Sequence, residues 1–269
     1  QLDPEEDLAL LQYTGGTTGT PKGAMLTHQN ITANTRQVEA IDPRQDERDV
    51  IVGVLPLFHV FANICVLNRT VAHGGCIAML PRFDAGQTLK TLARIKATAM
   101  PGVPTMYQAL LDHPDCGKTD FSSLRVCISG GAPLPLPLKQ SFEAATGARL
   151  IEGYGLTETA GVATANPYEG AERPGTIGQP IPATRIRLLD KEDPAQDAYL
   201  SKLITLVSTD LIVSGIGEQR GRPGDRACNP LGHHEPGVEH DRDRKRGAVA
   251  AGGGVKMVVV AMPVVMVMS

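Results

Sequence analysis

The sequence predicts an α/β fold over residues 1–193, with parallel or mixed sheets covered by helices, followed by an irregular tail over 194–269. Three observations carry this expectation. Short apolar runs bounded by Gly or Pro recur along the first part of the chain, helix-like stretches alternate with them, and both patterns stop near Asp193. Regular β-α alternation favours a sheet with helices packed on it.

The strands expected in order are Leu8–Tyr13, Val50–Leu55, Cys76–Leu80, Ala97–Met100, Leu124–Ser129, Arg149–Glu152 and Arg185–Leu189. Most are short apolar runs bounded by Gly or Pro, as buried strands should be. Between them lie helix candidates at Gln29–Ala40, Val60–Ala72, Ala85–Lys96, Thr105–Leu111 and Pro137–Thr146. Asp84 stands where an N-cap acceptor is wanted, Pro104 precedes the fourth helix, and Gly147 is placed to stop the fifth.

Composition narrows the function classes. The chain has 26 Lys and Arg against 29 Asp and Glu, a formal charge of −3, which argues against a general nucleic-acid binder. The 42% hydrophobic and 20% charged content is globular rather than disordered. Cys65, Cys76, Cys116, Cys127 and Cys228 form no CxxC pair, which suggests reduced, mostly buried thiols and a cytoplasmic setting. The apolar run Met257 to Met268 is shorter than the roughly 18 residues a membrane helix needs, and Pro263 interrupts it. No span is expected, which leaves peripheral membrane contact open.

After the first strand comes a loop, Thr14-Gly15-Gly16-Thr17-Thr18-Gly19-Thr20-Pro21-Lys22-Gly23. Glycines let backbone N–H groups approach an anion, threonine hydroxyls add donors, and Lys22 brings a mobile positive charge. This is chemistry for a polyphosphate. It departs from the G-x-x-x-x-G-K-[ST] pattern, because Pro21 precedes the lysine and Gly23 follows it, so a P-loop kinase or GTPase is not expected.

The run Tyr13 to His28, YTGGTTGTPKGAMLTH, resembles the signature loop of the AMP-forming, adenylate-forming enzymes. That group contains acyl-CoA synthetases, luciferases and peptide-synthetase adenylation domains. Three further segments resemble motifs of that family in the same order: Gly53 to Phe61 (GVLPLFHVF), Ser129 to Leu134 (SGGAPL) and Gly153 to Thr159 (GYGLTET). The resemblance covers Asp7 to Asp193 and implies part of the family's large N-terminal domain.

It also implies roles, residue by residue. Thr14, Gly15, Gly16, Thr17, Thr18, Gly19, Thr20 and Lys22 would cradle the phosphates of ATP. Gly131 and Ala132 would lie along adenine with Gly153, Tyr154 and Gly155, the Tyr154 ring offering a flat face. Thr157 would bond the α-phosphate and Glu158 would hold Mg²⁺. Phe58, His59 and Gly130 would face the acid substrate. Catalysis would rest on Glu158, Thr157 and Lys22, since joining a carboxylate to an anionic nucleotide needs charge neutralisation and alignment more than a nucleophile.

Amino-acid-activating members place an aspartate near the position of Phe58-His59 to receive an ammonium. Here Leu57, Phe58, Val60 and Phe61 surround a histidine, and an unpaired ammonium in such a wall would be costly. An apolar carboxylic acid is favoured, and the run resembles fatty-acid–CoA ligases, which implies ATP, Mg²⁺ and CoA as co-substrate. Loading of a carrier protein, or an inactive ATP-binding remnant, stays open as an alternative.

Past Asp193 the composition changes. Residues 218–246 are dense in Arg, Gly, Pro, Asp and His, and 247–269 are almost only Gly, Ala, Val and Met. This resembles an out-of-frame reading of GC-rich DNA, with a flexible tail as the alternative. His233, His234, Glu235 and His240 look metal-rich, but Pro236-Gly237 would break the helix that an H-E-x-x-H site requires. The family's Tyr-x-Thr-Gly-Asp segment and lysine-bearing C-terminal domain have no counterpart, and Ser208-Thr209-Asp210 lacks the glycine. With Gln1 in place of an initiator Met, the chain reads as an N-terminal-domain fragment holding half an active site.

Overall fold

A computed structural model describes residues 2–14, 22–44, 47–170, 172–189, 212–214 and 256–261. Its centre is a seven-stranded sheet in the order β4-β3-β5-β6-β7-β8-β9. The strands are β3 (Val50–Gly53), β4 (Cys76–Met79), β5 (Ala99–Gly102), β6 (Val126–Ser129), β7 (Arg149–Leu156), β8 (Gly161–Ala165) and β9 (Gln179–Pro180). The first five in that spatial order run parallel, whereas β8 is antiparallel to both β7 and β9, so the sheet is mixed. Composition hides β8 and β9, since Gly161, Ala163 and Ala165 in the first and Pro180 in the second are residues that strands disfavour.

A separate antiparallel hairpin joins β1 (Leu8–Thr14) to β2 (Lys22–Thr27), with Tyr13 opposite Gly23 and Thr14 opposite Lys22. The strand β2 was hidden in the sequence by its continuity with the glycine-rich loop. A third sheet places β10 (Thr184–Leu189) beside β12 (Lys256–Ala261), and β12 beside β11 (Ile212–Ser214). The consecutive valines 258–260 give β12 the β-branched content that strands favour. The rest of the tail, including the His233–His240 stretch, lies outside the described residues.

Helices α1 (His28–Ala40), α4 (Ala85–Arg94), α5 (Pro104–Asp112) and α6 (Leu136–Thr146) fall where they were expected. Asp84 Oδ1 accepts from the Gln87 N–H at 2.8 Å, and Gly147 takes φ +71 at the end of α6, the left-handed turn that glycine tolerates. The 60–72 helix is interrupted. Between α2 (Val60–Ala62) and α3 (Arg69–Ala72), residues Asn63–Asn68 form π-helical turns, within which the Asn68 amide donates to Asn63 O and Oδ1. Such turns recur at functional sites, and periodicity alone does not reveal them.

Alternating strand residues divide the core between the two faces of the sheet, as a doubly covered parallel sheet requires. Val52, Met100, Cys127 and Leu150 join Leu89, Tyr107, Leu110 and Phe142 on one face. Ile51, Ala99, Ile128 and Ile151 join Ala62, Val66 and Tyr168 on the other. A third cluster, with Leu26, Val38, Ile64 and Ile181, seats the hairpin and α1. At the sheet edge where the parallel strands begin, Arg69, 1% exposed, pairs with Asp42 and with Asp49 (2.9 Å) and lies 5.7 Å from the Tyr168 ring centre.

Candidate active site

The parallel strands β3, β5, β6 and β7 all point their C-terminal ends at one edge of the sheet. The segments 54–59, 130–135 and 153–159 leave from that edge, because each follows or closes one of these strands. Three of the motifs read in the sequence therefore meet. Their packing is close: a Cβ on Gly130 would lie 3.2 Å from the Phe61 ring and 3.6 Å from Gly153 O. Gly131, exposed, takes φ +78, a turn that a side chain would strain. Ala132 is exposed beside it.

Phe58 is 79% exposed and His59 is also exposed. His59 has a structural duty as N-cap of α2, its Nδ1 accepting from the Phe61 N–H at 3.2 Å. His28 opens α1, and His73 Nδ1 lies 2.9 Å from Glu39 Oε1, so both have structural surroundings away from the motif segments.

The Gly153–Thr159 segment continues β7 into a turn of 3-10 helix, Thr157–Thr159. Glu158 is exposed there and Thr157 half-buried. The turn is bonded to itself: Leu156 N–H donates to Thr159 Oγ1 (3.1 Å), which lies 3.0 Å from the carbonyl oxygens of Leu156 and Gly161. Burial pushes the Tyr154 phenol up to about 12, with the Glu158 carboxylate adding to the effect, so Tyr154 stays neutral at physiological pH. Gly155 faces Gly161 so closely that a Cβ would lie 1.7 Å from Gly161 O.

The hairpin β1–β2 brings Thr14 and Lys22 opposite each other, and β2 packs against the Thr157–Thr159 turn. The strand that follows the loop and the carboxylate turn, Thr157–Thr159, are thus neighbours. Gly15, Gly16, Thr17, Thr18, Gly19 and Thr20 lie outside the described residues, and of Thr14 and Lys22 only the backbone is described, in register with each other.

Two site residues escaped the sequence reading. Glu152, 6% exposed, accepts from the Leu134 N–H at 3.2 Å through Oε1, and burial pushes its carboxyl up to about 7. Its own carbonyl accepts from the Asn166 N–H at 2.9 Å. Asn34, 4% exposed on α1, bonds the backbone of Val162 just beyond the carboxylate turn. A lone Glu and a lone Asn carry no signal without their distant partners. Among the described residues no group of three or more His, Cys, Asp or Glu could hold a metal ion. Mg²⁺ keeps waters and takes other oxygens from phosphates, so a single exposed carboxylate such as Glu158 fits the ion.

Comparison with known proteins finds similar chains and similar folds. The long-chain-fatty-acid–CoA ligase of Bacillus subtilis (strain 168) is 39% identical over 261 residues, covering 94% of this chain and 47% of that protein. The feruloyl-CoA synthase of an Amycolatopsis species is 41% identical over 185 residues, covering 68% and 37%. Among solved structures, ATP-bound MatB from Rhodopseudomonas palustris superposes with a TM-score of 0.65 at 36% identity, over 72% of this chain and 38% of that one. A long-chain-fatty-acid–CoA ligase from Archaeoglobus fulgidus superposes with a TM-score of 0.64 at 29% identity, over 73% and 41%. The chain spans less than half the length of these relatives. Residues 1–198 match the model of the AMP-binding enzyme family, and with motifs, sheet edge and solved folds in agreement, this chain belongs to that family.

Proposed function

We propose that this chain supplies the nucleotide- and acid-binding face of an ATP-dependent acid–thiol ligase acting on a fatty acid. The observation that carries the reading is the meeting of Phe61, Gly130 and Gly153 at one sheet edge, beside the turn that bears Glu158. It is supported by the names of the relatives, which are long-chain-fatty-acid–CoA ligases and a feruloyl-CoA synthase.

In the first half-reaction a carboxylate oxygen of the acid attacks the α-phosphorus of ATP, the bond to the β-phosphate oxygen breaks, and pyrophosphate leaves. In the second, the CoA thiolate attacks the acyl carbon and AMP departs. The barrier to the first is repulsion between anions held close together. Backbone N–H groups of the 14–23 loop, the Lys22 ammonium and the Thr157 hydroxyl would hold the phosphates in line and spread their charge. Mg²⁺ bound at Glu158 would withdraw further charge from the phosphate oxygens. Tyr154 and the Gly131-Ala132 turn would hold the adenine, and the Phe58-His59 segment the acid, in a wall with no carboxylate to attract an amino acid.

Pyrophosphate release driven by a long-chain acid, followed by CoA-dependent release of AMP, tests the reading. Pyrophosphate release without any CoA response would indicate transfer to a carrier protein instead. ATP binding by calorimetry that is unchanged when Thr17 and Thr18 are both replaced by Val would sink the loop assignment.

A further inference from the structure

We infer that Asn34 is a positioning residue for the nucleotide site: its buried amide grips the backbone of Val162 and thereby fixes the turn that presents Glu158. The inference rests on the functional reading above and names a residue which that reading does not use.

The grip is two-sided. Asn34 Nδ2 donates to Val162 O at 2.7 Å, and Val162 N–H donates to Asn34 Oδ1 at 3.0 Å. A primary amide carries one acceptor and one donor group side by side, so it matches both main-chain groups of one residue, which Asp, Leu or Ser cannot do. The amide is itself aligned, since Nδ2 also lies 3.2 Å from Gln37 Oε1, and Gln37 Nε2 donates to Pro182 O at 2.8 Å. Both side chains are buried, so water does not substitute for these partners without an opening of the structure.

The consequence runs along the chain to Glu158. Gly161, with φ +139, presses directly on the clamp: a Cβ there would lie 2.7 Å from Asn34 Oδ1 and 2.8 Å from Ile64 Cγ1 of the π-helical turns. Residues 156–161 form a closed unit through Thr159 Oγ1, so holding Gly161 and Val162 holds Glu158. On its other side, α1 follows β2 without a break, and its first turn is locked by reciprocal bonds between Thr27 and Asn30. Asn34 lies within this helix, which β2 separates from the phosphate loop. One side chain therefore ties the helix that continues from β2 to the carboxylate turn.

The test uses the 269-residue chain with Asn34→Asp, which keeps the shape and the acceptor but loses the donor, and Asn34→Leu, each alone and combined with Glu158→Gln. ATP affinity is measured by calorimetry with Mg²⁺ and with EDTA, and amide hydrogen exchange is followed at 158–162. Asn34→Asp should weaken Mg·ATP about fivefold or more, change ATP in EDTA less than about twofold, and add little to the loss already caused by Glu158→Gln. The Val162 amide should lose protection in Asn34→Leu, which removes its acceptor, and much less in Asn34→Asp, which keeps it. Equal losses with and without Mg²⁺, or losses that multiply in the double variant, would reduce Asn34 to a merely structural residue and overturn the proposal. A parent chain that takes up no Mg·ATP would overturn the functional reading instead, and the clamp is then decided by exchange: a Val162 amide as protected in Asn34→Leu as in the parent refutes it.

Discussion

Glu152 Oε1 and the Leu134 amide meet at 3.2 Å, and through that bond the strand leading into the Gly153–Thr159 motif holds the end of the Ser129–Leu134 turn. The carboxyl is buried and titrates near 7 rather than at its ordinary 4.5, because burial disfavours its charged form more than the Leu134 N–H favours it. Lys139 is close by but is engaged with Glu143, Glu172 and Leu150 O. A carboxyl raised by folding takes up a proton between pH 4.5 and 7, so its contribution favours the fold at low pH and is lost as pH rises through 7. Glu152→Gln keeps an oxygen for Leu134 and removes the titration. Its melting temperature should exceed that of the parent at pH 8, and the difference should shrink toward pH 5. A constant offset across that range would mean that Glu152 does not titrate there.

Gly155 and Gly161 make a second prediction. A Cβ on Gly155 would sit 1.7 Å from Gly161 O and 2.9 Å from Val162 Cα, so β7 and β8 would have to part. Gly155→Ala should cost about 3 kcal/mol, the upper end of ordinary overpacking, because the obstacle is backbone rather than a movable side chain. Gly117, with nothing within 4 Å of the same position, is the control, and Gly117→Ala should be nearly neutral. Denaturant melts of the two variants check this, and equal midpoints would refute the close approach.

Local patterns were legible in the sequence where a local rule governs. Asp84 caps α4 and Gly147 ends α6 because each acts on its own backbone within a few residues. The four motifs were legible as strings, and three meet because parallel strands bring their C-terminal ends to one edge. Boundaries failed where tertiary pairing overrides composition: β7 runs on to Leu156 through two glycines because β8 pairs with it, and β5 continues through Pro101 between neighbouring strands. Asn34 and Glu152 were invisible for a related reason. The partner of Asn34 lies 128 residues along the chain, and no spacing rule reaches that far.

The thiols should separate by burial. Cys65, Cys116 and Cys127 are buried, with burial pushing the Cys65 thiol up to about 12 and raising the other two, whereas Cys76 is exposed on the edge strand β4. The thiolate is the reactive form, so the buried three are held back by access and by protonation together. Among these four, iodoacetamide on the folded protein should alkylate Cys76 first by a wide margin, and the others only on unfolding. Peptide mass mapping over time checks the order, and early labelling of Cys127 would contradict the packing of β6.

His59 allows its two duties to be separated. As N-cap of α2 it accepts from the Phe61 N–H, and removing an N-cap acceptor costs about 1 kcal/mol. As an exposed residue beside Phe58, on the segment proposed to face the acid, it would also act on the substrate. Asn supplies a side-chain oxygen at a cap but neither the imidazole ring nor its second nitrogen. His59→Ala should therefore lower the melting temperature by a few degrees, and His59→Asn should restore most of it. If the substrate duty holds, both variants raise the concentration of long-chain acid needed for half-maximal pyrophosphate release, while ATP dependence changes little. Recovery of acid dependence together with stability in His59→Asn would confine His59 to capping and shift the acid wall to Phe58 and Phe61.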